Sequence, residues 1–138
     1  MKEEQTTYDI GLTHIALPAT NLRASVEFYA KYARMDVVFQ RPGTIWLSDR
    51  TRPFVIVLLE VPKVEHPLLP LGHIGVGCPN RDEVDRLSDM ARSENCLAAP
   101  AKDFGGHIGY RAYIRDPDGH TLEVSFGQEV GLTVQTAG

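Results

Sequence analysis

Cysteine is scarce in this chain of 138 residues: there are two, Cys78 and Cys96, far apart and outside any Cys-x-x-Cys spacing. That spacing argues against a disulfide framework and a zinc ribbon, and it leaves both as free thiols, Cys78 in strand-like apolar surroundings. Long apolar runs are lacking as well. No stretch approaches the roughly 20 residues that cross a bilayer, and the polar start Met1 to Thr7 does not read as a signal peptide. Positive charge is in short supply, with 14 Lys and Arg against 18 Asp and Glu, a formal net charge of −4, and no basic cluster. A nucleic-acid footprint is therefore absent. The expectations are no nucleic acid, no membrane and a cytoplasmic location. What is there is ordinary for a soluble globular protein: 43% apolar and 23% charged residues. The length suits one domain, residues 1–138, able to bury most of its apolar surface.

Residues 1–10 read as a loose lead-in, and Gly127 to Gly138 as an extension of no assignable order. Between them the order strand, helix, three strands occurs twice, in modules of about 11–61 and 71–127. In the first, Gly11–Leu17 is strand-like and ends at Pro18. Asn21 caps a helix to about Arg34 with Leu22, Val26, Tyr29 and Ala33 on one stripe. Strand-like runs follow near Val37–Gln40, Thr44–Ser48 and Phe54–Glu60, broken by Pro42-Gly43 and by Asp49 to Pro53. Pro62 to Pro70 links the halves. The second module opens with His73–Cys78. Asn80, three residues before Glu83, starts a helix to about Ser93 that buries Val84, Leu87 and Ala91. Strands are expected near Leu97–Ala101, Gly109–Arg115 and Thr121–Phe126, with Asp116-Pro117-Asp118-Gly119 as a turn. At an offset of 59, Leu12, His14, Ile15 and Asn21 fall on Leu71, His73, Ile74 and Asn80. The repeat points to a duplicated βαβββ unit, an α+β architecture with a curled mixed sheet.

Alternate side chains of a strand face opposite ways. His14 shares its face with Leu12 and Ala16, His73 with Leu71, Gly75 and Gly77, and Glu123 with Thr121 and Ser125. Each lies on the face poorer in bulky groups, where a bare carboxylate needs a cation or strong donors. Two histidines and one carboxylate on separate strands can bind a metal and leave positions open for substrate. Taken singly, each could equally be a hydrogen-bonded core histidine or a solvated glutamate.

The stretches His14-Ile15-Ala16-Leu17, Asn21 to Tyr29, Leu71-Gly72-His73-Ile74 and Asp116-Pro117-Asp118-Gly119-His120-Thr121-Leu122-Glu123 resemble the vicinal oxygen chelate superfamily. That group includes glyoxalase I, bleomycin-resistance proteins, fosfomycin-resistance enzymes and extradiol dioxygenases. The resemblance covers about residues 11–127 and implies the glyoxalase/bleomycin-resistance/dioxygenase fold, usually as a homodimer with shared sites. It implies His14, His73 and Glu123 as ligands of one divalent metal. Glyoxalase I-like members carry a further acidic ligand, and aligning Val55–Leu58 with Thr121–Val124 puts Val57 there. Glu60 lies three residues along and on the opposite face. The chain thus departs from glyoxalase I and matches the three-ligand branch. Two imidazoles and a carboxylate suit Fe(II) or Mn(II) with a bidentate substrate; Zn(II) or Ni(II) also accept such donors.

Around that triad, Ala112 and Ile114 suit a packed face, which turns Arg111, Tyr113 and Arg115 toward the cavity or its rim. Arg111 suits a substrate carboxylate or phosphate and Tyr113 can donate to an oxyanion. Trp46 and Val57, with Val55 and Leu59, would line an apolar side. His107, after Gly105-Gly106, could carry an acid–base group; His66 and His120 read as surface residues. The expected function is a metal-dependent enzyme on a small oxygen-rich molecule, most simply an extradiol-type ring-cleaving dioxygenase. The alternatives are a lyase, isomerase or thiol transferase with a non-redox metal, and a non-catalytic bleomycin-resistance-like binding protein. Ala16 stands where fosfomycin transferases tend to carry a polar residue, and the binding proteins lack the triad.

Overall fold

The computed structural model describes residues 9–138; of the expected lead-in, residues 1–8 lie outside the described residues. Two compact units divide between Val64 and Glu65. The first contains β1 (His14–Ala19), α1 (Leu22–Ala33), β2 (Asp36–Arg41), β3 (Thr44–Ser48) and β4 (Val55–Glu60). Its sheet runs β1-β4-β3-β2, with β1 parallel to β4 and the other pairs antiparallel. The strand expected to stop at Pro18 continues to Ala19. β1 is an edge strand, where a residue without an N–H costs no ladder bond on its open side. Asn21 accepts from the Ala24 N–H at 3.1 Å as the N-cap of α1. The buried stripe of that helix is rotated from the expected one. Ser25, Phe28, Tyr29, Tyr32 and Ala33 are buried, while Leu22 and Val26 are only half-buried. Aromatic packing decides this, with Phe28 4.9 Å from Tyr29 and 4.8 Å from Tyr32, centroid to centroid. Leu17, Leu47, Ile56 and Leu58 complete the core on one face of the sheet. The opposite face carries His14, Trp46, Val55 and Val57.

The second unit repeats the plan with β5 (Ile74–Gly77), α2 (Arg81–Ser93), β6 (Leu97–Asp103), β7 (Tyr110–Arg115) and β8 (Thr121–Phe126), in the order β5-β8-β7-β6. A helix within the extension, α3 (Val130–Thr136), was not anticipated and buries no residue. Asn80 caps α2 by accepting from the Glu83 N–H at 2.9 Å. Val84, Leu87 and Ala91 are buried as expected, in the same unit as the buried Ala112, Ile114, Leu122 and Val124. In the turn before β8, the Asp116 carboxylate accepts from the N–H groups of Asp118 (2.8 Å) and His120 (2.9 Å). His120, expected at the surface, is 1% exposed. Its Nδ1 accepts from the Leu68 N–H at 3.0 Å, so it satisfies a backbone donor of the linker. Gly109 adopts φ +73°, and a Cβ there would lie 2.6 Å from the Phe126 carbonyl oxygen. Only glycine lets the start of β7 pass the end of β8 so closely. The phenol of Tyr110 donates to Asp85, and this bond holds its pKa above the ordinary value. Asp103 is held below the ordinary carboxylate value, first by the Gly105 N–H and then by Arg81. The architecture is α+β: two four-stranded mixed sheets and three helices among the described residues.

Candidate metal site and first-sheet pocket

In the second unit, β8 sends Leu122 and Val124 into the core and Glu123 to the other face of the sheet. Glu123 is nevertheless 6% exposed, because neighbours close over it. Its Oε1 lies 3.0 Å from His73 Nε2. Its Oε2 accepts from Gln128 Nε2 at 2.8 Å and lies 3.8 Å from Arg111 Nε. His73 sits just before β5, and its Nδ1 is 2.8 Å from the Pro70 carbonyl oxygen. A carbonyl only accepts, so Nδ1 carries the hydrogen of this contact and Nε2 is the atom turned to the carboxylate. Nε2 and the carboxylate oxygen at this distance are held together by a proton on Nε2 or by a cation shared between them. Donors about 2.1 Å from one metal ion at a right angle are about 3 Å apart, so the observed separation suits a shared ion. The cross-strand neighbour of Glu123 on β5 is Gly75, whose added Cβ would meet Oε1 at 3.6 Å. A longer side chain there would fill the space beside the carboxylate.

Tyr113 is the neighbour of Glu123 on β7, and its ring centroid lies 5.4 Å from that of His73. Arg111 stacks between two rings, its guanidinium carbon 4.1 Å from the centroids of both Phe104 and Tyr113. Ala112 and Ile114 are fully buried, which leaves Arg111, Tyr113 and Arg115 on the face of Glu123. His107 is exposed, in the turn between β6 and β7, and takes no part in this cluster. Gln128 and Phe104 escaped the sequence reading. Gln128 also donates to the Ile108 carbonyl at 3.1 Å, so the segment after β8 clamps the carboxylate against the β6–β7 loop. The only trace in the sequence is Gly127, which turns the chain at φ +93°.

In the first unit His14 is exposed at the start of β1, with Nδ1 2.9 Å from the Thr13 hydroxyl. It lines a pocket of about 740 Å³ together with Phe39, Arg41, Trp46, Val57 and Leu59. Trp46 is 39% exposed and packs on Phe39 at 4.9 Å between centroids. Register compares the two sheets directly. Val57 pairs with Ala16 as Glu123 pairs with Gly75, so a valine holds the position of the second unit's carboxylate. Glu60, at the end of β4 opposite Ala19, shares the parity of Ile56 and Leu58 on the core face. The structure brings His73 and Glu123 together. Among the described residues no group of three or more His, Cys, Asp or Glu side chains forms a metal cluster.

Two βαβββ units in tandem define a class of α+β fold. The chain belongs to the Glyoxalase/Bleomycin resistance protein/Dioxygenase superfamily, whose family model matches residues 11–124. It is 30% identical over 127 residues to the uncharacterized protein PA2024 of Pseudomonas aeruginosa, covering 87% of this chain and 91% of that one. A possible glyoxalase from Bacillus cereus shares the fold at a TM-score of 0.70 and 24% identity, over 85% of this chain and 99% of that one. So does the fosfomycin resistance protein FosX of Listeria monocytogenes, solved with Mn(II) and sulfate, at 0.70 and 18%, over 93% and 99%.

Proposed function

We propose that this protein is a metal-dependent enzyme acting on a small molecule through two neighbouring oxygens, in the manner of an extradiol-type ring-cleaving dioxygenase. His73 and Glu123, with His14 supplied by a second copy of the chain, would hold one divalent ion, Fe(II) or Mn(II). The observation that carries this reading is the approach of two metal-ligating side chains, His73 Nε2 and Glu123 Oε1, 3.0 Å apart with Nδ1 tied to Pro70. Mn(II) in the FosX structure supports a divalent ion for this fold. When bound, the ion supplies Lewis acidity and, if it is iron, redox chemistry. The protein's own groups do the rest. Gln128 and Arg111 steady the Glu123 carboxylate, and the Pro70 carbonyl fixes the His73 tautomer. Tyr113, beside His73, is placed to exchange a proton with a substrate oxygen.

One observation favours a second reading, a lyase, isomerase or transferase with a non-redox metal. Arg111, with its guanidinium carbon 4.1 Å from the ring centroids of both Phe104 and Tyr113 and next to Glu123, is a positioned cation for an anion that develops on substrate. Oxygen uptake separates the two. Protein loaded anaerobically with Fe(II) should consume one O₂ per catechol-type substrate turned over, and Tyr113→Phe should slow this by about 10²-fold. Absence of oxygen uptake across simple catechols, with the iron bound, would overturn the dioxygenase assignment.

A further inference from the structure

The pocket of the first unit has a composition that the metal site does not explain. Its floor is Val55, Val57 and Leu59 of β4, and its wall is Val38 and Phe39 of β2 with Trp46 of β3. A register shift between Val37 and Phe39 turns two consecutive apolar side chains, Val38 and Phe39, toward the same cavity. Set in this apolar trough, among the described residues, are three arginines, Arg41, Arg50 and Arg52, against a single acid, Asp9, in a chain whose formal net charge is −4. The local sign thus opposes that of the whole molecule, as expected for a trough that attracts an anion.

The arginines are not equivalent. Arg50 Nε is engaged by Asp36 at 3.2 Å. Arg52 lies on the loop leading to Phe54 and Val55, at the His14 end, since Val55 is the strand partner of His14. Arg41 lies at the other end: it pairs with Thr44, and Thr44 pairs with Leu59. No ion pair engages Arg41 among the described residues, and the one acid of the lining belongs to the segment before β1. From Val55 to Leu59 the strand advances about 13 Å at about 3.3 Å per residue.

We propose that this trough receives an elongated acid: an aromatic or aliphatic body lies over Val57 against Trp46 and Phe39, and a carboxylate or phosphate at its far end is held by Arg41. This deepens the enzymatic reading and rests on it for one point, that the oxygens which react lie at the His14 end. The valine at position 57 then has a use. Where a carboxylate would repel an apolar chain and add negative charge, an isopropyl group extends the floor.

The chain's single tryptophan, Trp46, reports on this site. The experiment titrates metal-stripped full-length protein with 4-phenylbutyrate and with 4-phenylbutanol, an uncharged partner of the same length, and follows Trp46 fluorescence. Both should perturb the emission saturably, with the acid bound about tenfold more tightly, the worth of a charged hydrogen bond. Arg41→Gln should abolish the preference for the acid and leave the alcohol unchanged. Arg41→Lys should restore it in part, and Arg52→Gln should keep it. Circular dichroism melts verify that each variant is folded, and isothermal titration of the same pairs provides a readout independent of fluorescence. An acid bound no better than the alcohol, or a preference that survives Arg41→Gln, would overturn the proposal. Because no metal is present, failure of the metal site leaves these results untouched. Stoichiometric metal binding without an Arg41-dependent preference would refute the substrate class alone.

Discussion

Gln128 is the residue on which the geometry of Glu123 turns. Its amide donates to Oε2 at 2.8 Å and to the Ile108 carbonyl at 3.1 Å, so one side chain fixes both a carboxylate and a loop. Partners that orient a ligand typically change metal affinity by about 10- to 100-fold when removed. Gln128→Ala should therefore weaken Mn(II) binding by about that factor, measured by titration calorimetry, with little change in melting temperature. Affinity equal to wild type would show that Glu123 is oriented without it. Residues differed in how legible they were from the sequence. His14, His73 and Glu123 stood out because chemical type, repeat position and strand face coincide. His120 did not, since a histidine after Asp-Pro-Asp-Gly gives no sign that a backbone N–H from Leu68 will reach its ring. Arg111 and Tyr113 were legible as a face, but the stacking of Arg111 on Phe104 depends on a loop whose path alternation does not encode.

Elements were legible wherever a capping residue met an amphipathic run. Asn80 with Glu83 marked the start of α2, and its buried stripe matched expectation because Val84, Leu87 and Ala91 meet no aromatic rival on the helix. In α1 the rivals exist, and Phe28 and Tyr32 displaced Leu22 and Val26 from the core because large rings gain more from burial. The continuation of β1 through Pro18 depended on strand order, which one strand cannot reveal. One link between α2 and β7 is the Tyr110–Asp85 hydrogen bond, which raises the phenol's pKa in the folded chain. A raised folded value stabilises the fold fully below the unfolded value, near pH 10, and the contribution is lost as pH rises through the folded value. Tyr110→Phe should thus melt below wild type at neutral pH, and the gap should close above about pH 10. A gap independent of pH would remove the hydrogen bond from this account.

At the scale of the whole molecule, each unit presents part of the proposed triad, His14 in the first and the His73–Glu123 pair in the second. The repeat made both parts readable, whereas nothing in a single sequence says which copy of a module completes which site. In a shared homodimer, co-expressed His14→Ala and Glu123→Ala chains should form a heterodimer with one intact site, while each variant alone has none. Heterodimers without an intact site would refute the exchange. The proposed activity requires metal binding by His14, His73 and Glu123. Its most direct test is an anaerobic Mn(II) titration of metal-stripped wild type and Glu123→Gln, read by electron paramagnetic resonance of the free ion. Wild type should bind one ion per chain, and loss of the sole anionic ligand should weaken binding by about 10²-fold or more. One ion per chain at unchanged affinity in Glu123→Gln would contradict the account.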